Sequence, residues 1–174
     1  MIRKKNVTPA HEYFHQIQNS VSYFKNAWYY EGLARWSEDS LISRKRVTED
    51  LIRLRQMLDN DTELTDLYNS NYNAAQLFWQ PFATLLGNEM IFPAKDPIVH
   101  AKYTDGSAVM KDFSFFGAHL ISNFLKLLGD ADKRAFREQN YDVWSEKNQR
   151  NEANNLYIVR ALKEFLDTRD FNSR

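Results

Sequence analysis

Apolar residues recur along most of this chain at spacings of three and four, which is the pattern of amphipathic α-helices. Thr8 as N-cap and Pro9 in the first turn predict where the first helix begins, and Gly32 predicts where it ends. We therefore expect one long N-terminal helix with a single apolar face. That face is the stripe Phe14, Ile17, Val21, Phe24 and Trp28.

The following segments show the same periodicity, interrupted by short polar turns. A second helix is predicted to start near Ser37 or Ser40 and to end at Leu58. A third is predicted to be capped by Thr62. Residues 74–86 continue the helical pattern, but the proline within them is expected to kink the helix.

The C-terminal half predicts further helices. Residues 113–128 are apolar around most of the helical circumference, so we expect them to form the central buried helix. Gly129 is its predicted C-cap and Asp130 the N-cap of the next helix. The last helix is predicted at about 152–168.

Residues 88–111 depart from the helical pattern. Ile98–Tyr103 and Ala108–Met110 flank an Asp105–Gly106 pair, which favours a two-residue hairpin turn. The segment predicts a small β-ribbon, with an extended loop as the alternative. The predicted fold class is thus all-α, a compact bundle of about six to seven helices with a small β-ribbon or extended loop around residues 88–111.

Composition bounds the remaining choices. A chain of 174 residues is expected to form a single globular helical domain, 1–174, with short frayed tails at 1–7 and 169–174. Cysteine is absent, which excludes disulfides and thiolate metal sites. No apolar run approaches the length of a membrane span, so we predict a soluble, cytoplasmic protein with no membrane partner. The 23 acidic and 23 basic residues balance, so no global field favours nucleic acid.

Residues 11–15 read His11-Glu12-Tyr13-Phe14-His15, which matches the H-E-x-x-H spacing of zinc-binding helices. Side chains at i and i+4 lie on one helical face, where two histidines can reach the same metal ion. These five residues resemble the active-site helix of the zincin metallopeptidases. The resemblance implies a zinc-dependent hydrolase with His11 and His15 as metal ligands and Glu12 as the general base.

A catalytic zinc ion usually has three protein ligands, so this site requires a third residue. The extended zincin pattern does not supply it, because Gln18 and Val21 stand where that pattern has its Gly and its third His. Downstream carboxylates at suitable distances are Glu31, Glu38 and Asp39.

Helical geometry favours a different interpretation of the triplet. At about 100° per residue, His11 points roughly 110° away from the centre of the apolar stripe, and Glu12 and His15 point roughly 150° away. We therefore interpret the triplet as part of a solvated helix face, and we expect no cofactor, with zinc as the alternative. The same polar side carries Gln18, Asn19, Ser22 and Asn26.

A basic cluster offers a second candidate for chemistry. Between Leu41 and Leu58 five basic residues face two acidic ones, and a helix-borne basic face can bind phosphates. We interpret the cluster as a solvated face with internal ion pairs, and keep a nucleic-acid-associated role as the alternative. Its members are Arg44, Lys45, Arg46, Arg53 and Arg55.

No other motif predicts a reaction. His119 lies in an apolar helix and is interpreted as a hydrogen-bonded core residue rather than a ligand. The leading hypothesis is therefore a binding or interaction module that recognises a protein partner or self-associates as a homodimer. The residues suspected of forming the dimer surface, or alternatively of completing the monomer core, are Tyr29, Tyr30, Trp36, Phe78 and Trp79.

Overall fold

The computed structural model describes residues 8–41, 51–71, 75, 78–80, 82, 89–110 and 114–167. The fold is all-α, as the sequence predicts. The predicted frayed tails, 1–7 and 169–174, lie outside the described residues. The helices are α1 (Thr8–Val21), α2 (Ala27–Leu41), α3 (Leu51–Leu58), α4 (Asp61–Tyr68), α5 (Ala118–Glu138), α6 (Glu146–Gln149) and α7 (Asn154–Asp167).

The prediction of one long N-terminal helix is wrong, because the chain leaves the helix after Val21 and starts α2 at Ala27. Polar groups in the connecting loop explain the break. The Ser22 hydroxyl accepts a hydrogen bond from the backbone N–H of Phe24 at 3.2 Å. The N–H of Lys25 donates to the carbonyl of Gln149 at 2.8 Å, so the loop is held by a distant part of the chain. Short polar side chains compete with helical hydrogen bonds in this way.

Two glycines predicted to end helices lie inside them instead. A Cβ at Gly32 would lie 2.8 Å from the Cβ of Ala75 and 2.9 Å from Cδ1 of Trp79. Glycine at this position therefore allows α2 to pack closely against the segment that carries Ala75 and Trp79. A Cβ at Gly129 would lie 2.8 Å from the carbonyl oxygen of Val21. Both positions are explained by an approaching neighbour rather than by a turn, and α5 runs uninterrupted past Gly129.

The second predicted helix, running to Leu58 from near Ser37 or Ser40, does not start there, because both serines lie within α2. Residues 42–50 lie outside the described part of the chain, and α3 ends at Leu58 as expected. The N-cap of α4 is Asn60 rather than Thr62, since its side chain accepts hydrogen bonds from the N–H groups of Thr62 and Glu63. Residues 75, 78–80 and 82 are helical, whereas the predicted kink at Pro81 lies outside the described residues.

The β-ribbon is present but lies partly elsewhere than predicted. Strand β1 (Glu89–Ile91) pairs antiparallel with β2 (Ser114–Phe116). The predicted turn at Asp105–Gly106 does form, with Gly106 at a φ of +82° and an isolated bridge between Lys102 and Ala108. The arm predicted to begin at Ile98 starts instead with a short 3₁₀-helix, Pro97–His100, because Asp96 caps it and proline sets its first turn.

An aromatic cluster forms the core between α2, α5 and α7. The rings of Trp28 and Trp79 stack at 5.7 Å between centroids, and Phe124 on α5 contacts Trp79 at 5.6 Å. The sequence spaces five apolar residues along one face of the last helix, and all of them are buried except Leu156, which is 50% exposed. They are Leu156, Val159, Leu162, Phe165 and Leu166. None of the described helices is both long and apolar enough to cross a membrane.

Candidate metal centre

The pairing of α1 with α2 brings two histidines and a glutamate together. His11 and His15 lie one helical turn apart on α1, as the H-E-x-x-H spacing predicts, and their rings meet edge to face at 4.7 Å. Glu31 on α2 faces both of them. One potential ligand atom from each residue lies within 4.8 Å of the other two. The sequence placed Glu31 among three downstream candidates, and the loop at residues 22–26 turns the chain back so that it reaches the histidines.

The distances within this cluster suit a single small cation. Oε2 of Glu31 lies 3.1 Å from Nε2 of His11 and 3.5 Å from Nε2 of His15. Tetrahedral zinc with bonds of about 2.0–2.1 Å separates its ligand atoms by roughly 3.4 Å. The two measured separations lie on either side of that value, and all three ligand atoms lie within 4.8 Å of one another. An ion would replace the hydrogen bond between Glu31 and His11 and draw the three atoms to similar separations.

A second layer of polar groups supports His15. Its Nδ1 lies 2.9 Å from Oε1 of Gln18, which is fully buried. The amide nitrogen of Gln18 donates to the carbonyl of Tyr30 at 3.1 Å, and the Tyr30 ring stacks on the imidazole at 4.0 Å. The imidazole is therefore held by Gln18 on its own helix and by the Tyr30 ring on α2.

Glu38 occupies the corresponding place beside His11. Its Oε1 lies 2.9 Å from Nδ1 of His11, although the two atoms are not aligned as a hydrogen bond. The Glu38 side chain is only 3% exposed, and its other oxygen pairs with Arg35. Outer carboxylates of this kind orient metal-binding histidines in many proteins.

The interpretation of residues 11–15 as part of a solvated face is wrong for both histidines. His15 is 8% exposed and His11 is half-buried. Of the other polar residues on this side, Gln18, Ser22 and Asn26 are buried, whereas Glu12 and Asn19 are exposed. Ile17, assigned to the apolar stripe, is 40% exposed. The error follows from the helix break, because Phe24 and Trp28 belong to the loop and to α2 and do not define the buried face of α1.

Glu12 differs from its two neighbours because it is exposed. Burial is the main cause that raises the pKa of Tyr30. The negative charges of Glu31 and Glu12 raise this pKa further. The structure thus places Glu12 at the solvent edge of the cluster, whereas the zincin resemblance implies a base at the metal-bound water.

Sequence reasoning missed Gln18 and Glu38 as members of the site. Gln18 was noted as a departure from the extended zincin pattern and as a polar residue on the side of the triplet, and Glu38 only as a third-ligand candidate. The available signal was their spacing, since Gln18 lies one turn after His15 and Glu38 two turns after Glu31. The side chains of Asp39 and His119 lie outside the described residues, so the interpretation of His119 as a core residue stays a prediction.

The basic cluster is only partly described. Arg44, Lys45 and Arg46 lie outside the described residues. Arg53 makes a paired contact with the Glu63 carboxylate, at 3.0 and 2.7 Å. Arg55 donates to the carbonyl of Leu166 at 3.0 Å. The two described members therefore contact groups on neighbouring helices.

The aromatic residues suspected of forming a dimer surface are largely internal. Tyr30 is half-buried and the other four are at most 5% exposed, so the alternative that they complete the core of the chain is correct. The interaction module itself stays a prediction, without these residues as its surface. The four buried members are Tyr29, Trp36, Phe78 and Trp79.

A separate cavity of about 620 Å³ lies beyond the end of α1, against α5. Tyr23 and Trp144 stack at its rim, 5.6 Å apart. Asp132 lines it and accepts a hydrogen bond from the Tyr23 N–H at 2.9 Å. Burial raises the pKa of the Asp132 carboxyl, and that hydrogen bond partly opposes the rise.

Comparison with known proteins adds no assignment to this geometry. No protein-family model matches the sequence, and neither the curated proteins nor the solved structures include a match.

Proposed function

We propose that this chain binds one divalent transition-metal ion, zinc in the first place, through His11, His15 and Glu31. The observation that carries the proposal is the convergence of two imidazole nitrogens and one carboxylate oxygen within 4.8 Å on two packed helices. A set of two histidines and a glutamate is one of the ligand sets of catalytic zinc sites.

The donor atoms narrow the class of metal. Imidazole nitrogen suits zinc, copper, iron and nickel, whereas calcium and magnesium prefer sites made of oxygen. Three protein ligands also leave a coordination position for water or a substrate. The side chain of Glu31 is 37% exposed, so this position is accessible from solvent.

The surrounding burial supports a site rather than a chance cluster. Gln18 and Glu38 are almost completely enclosed, and each faces one of the two histidines. Burying a polar side chain costs free energy unless it meets a partner. The buried Gln18 and Glu38 each meet a histidine, so the polar groups around the two histidines form one connected set.

Metal content and affinity test the proposal directly. Untagged protein purified without chelator is expected to hold about one zinc per chain by elemental analysis, and metal-stripped protein is expected to rebind zinc in calorimetry. His15→Ala should lose both. His100→Ala is the matched control, because His100 lies on the 3₁₀-helix and bonds to the carbonyl of Ala94. Wild-type protein that neither retains nor rebinds zinc would refute the proposal.

A zinc-dependent hydrolase is the second candidate function. The third ligand that the H-E-x-x-H match requires is available in Glu31, and this observation favours the candidate. The exposed position of Glu12 requires a side-chain rotation before it can act on a metal-bound water.

Peptide hydrolysis tests this candidate separately from metal binding. The zinc-loaded protein is assayed against a mixed fluorogenic peptide library, beside Glu12→Gln. A general base contributes about 10²–10⁴-fold, so the variant should bind zinc normally and hydrolyse at least about a hundred times more slowly. Equal rates in both proteins would exclude Glu12 as the base.

A further inference from the structure

Gln18 bonds to two partners that together fix the direction of its amide. The carbonyl oxygen of Tyr30 only accepts hydrogen bonds, so the group 3.1 Å from it must be the NH₂ of Gln18. The amide oxygen of Gln18 then faces Nδ1 of His15 at 2.9 Å. An amide oxygen accepts and does not donate, so Nδ1 of a neutral His15 must carry the proton.

We infer that Gln18 is a positioning residue that holds His15 in the Nδ1–H tautomer and thereby presents the Nε2 lone pair to the metal. In a neutral imidazole only one nitrogen carries hydrogen, so fixing it at Nδ1 leaves Nε2 as the donor atom. Nε2 is the atom that lies 3.5 Å from Oε2 of Glu31.

The surroundings of Gln18 make this arrangement rigid. The residue is fully buried, and the stacked Tyr30 ring holds the imidazole from α2. One amide thus links the α2 backbone to a metal ligand on α1. The histidine does not need to change tautomer or rotate when the ion binds, so the site is arranged before the metal arrives.

The effect of Gln18 on metal affinity rests on the metal-binding function proposed above. The tautomer of His15 can be measured without metal. Long-range ¹H–¹⁵N correlation of ¹⁵N-labelled, metal-free protein in mildly alkaline solution distinguishes the two imidazole tautomers. His15 is expected as the Nδ1–H form in the wild type. Finding it as the Nε2–H form would overturn the inference, whether or not zinc binds.

Variants at position 18 connect the tautomer to affinity. Gln18→Met keeps the approximate shape and removes both hydrogen bonds, so His15 should become a mixture of tautomers. Its zinc affinity should fall about 10–100-fold, as is typical when an outer-layer partner is lost. Gln18→Glu keeps an acceptor for Nδ1 and should restore most of the Nδ1–H form and most of the affinity. Gln16→Met, on the exposed side of α1, is the matched control.

The outcomes separate the two proposals. Wild-type protein with the Nδ1–H tautomer but no zinc binding would refute the metal-binding function and leave the role of Gln18 in fixing His15 supported. Zinc binding that is equally tight in Gln18→Met, with an unchanged tautomer, would refute the positioning role alone. Should Gln18→Met fail to fold, the wild-type spectrum and Gln18→Glu still decide the assignment.

Discussion

Two buried regions of this protein are made of opposite kinds of side chain. The core around Trp79, Phe82 and Phe124 consists of aromatic rings whose centroids lie 5.6–6.1 Å apart. The α1–α2 interface also buries side chains, but those of His15 and Gln18 are polar. Apolar contacts stabilise a fold wherever shapes fit, whereas buried polar groups must each meet a partner. The first region thus supplies stability and the second supplies a defined chemical geometry.

The largest predicted effect breaks the aromatic region. Phe124→Ala removes a fully buried ring that contacts Trp79 and Phe165, and it should lower the free energy of unfolding by about 3–5 kcal/mol. Urea unfolding measures the loss. Leu156→Ala, at the half-exposed position of α7, is the control and should change stability by less than about 1 kcal/mol. Similar losses in both variants would contradict the assignment of the core.

The next prediction tests the polar region by adding the zinc ion proposed to bind there. Zinc at a hundred times its dissociation constant should add about 2.7 kcal/mol to the stability of the wild type, because it binds the folded state alone. Glu31→Gln should remove this gain and leave the metal-free stability nearly unchanged, since Glu31 is more than one third exposed. Thermal unfolding with and without zinc measures both effects. An equal zinc-dependent shift in the variant would exclude Glu31 as a ligand.

A third prediction concerns the place where α1 ends against α5. Gly129→Ala sets a Cβ 2.8 Å from the Val21 carbonyl oxygen, which is backbone and yields little. Overpacking costs about 1–3 kcal/mol, and the better helix propensity of alanine offsets about 1 kcal/mol of that. We expect a net loss of about 1 kcal/mol in urea unfolding. Ser122→Ala, on the exposed side of α5, should stay within about 0.5 kcal/mol, and a stabilised Gly129→Ala would refute the close approach.

The smallest prediction concerns the pH dependence at Asp132. Because burial raises its pKa, the folded chain holds the Asp132 proton more tightly than the unfolded chain does. The resulting contribution to stability is present below the ordinary Asp pKa of about 3.9 and is lost as the pH rises through the raised pKa. Asp132→Asn keeps an oxygen acceptor for Tyr23 but cannot ionise.

The stability of Asp132→Asn relative to the wild type should therefore increase from acid to neutral pH. Urea unfolding across this range measures the difference. A difference that is independent of pH would show that folding does not raise the pKa of Asp132.

The sequence predicted the fold class well and the elements unevenly. Periodicity identified α4 and α7 as helices and most of the buried apolar residues of α7. The helix ends predicted at Gly32 and Gly129 are wrong, because a glycine in a sequence can mark either a helix end or a point of close packing inside a helix. That distinction depends on Trp79 and Val21, which are distant in sequence from the glycines they contact.

The candidate site was half predictable for a related reason. The spacing of His11 and His15 is a local property of one helix and was visible in the sequence. Glu31 becomes a neighbour only because residues 22–26 reverse the chain, and the apolar stripe gave the opposite expectation of a continuous helix. Gln18 acquires its role from the backbone of Tyr30, which no sequence pattern shows.

The loop between α1 and α2 has a consequence for the order in which the protein matures. The histidines and Glu31 are synthesised before the residues that hold the loop between the two helices. Those residues are Gln149 and Asn151, whose carbonyls accept hydrogen bonds from the loop. Trp28 likewise donates to the Asn155 side chain at 2.8 Å. The anchors for this geometry are thus translated long after the histidines and Glu31, so a nascent chain can hold these side chains together only once residues 149–155 have been synthesised.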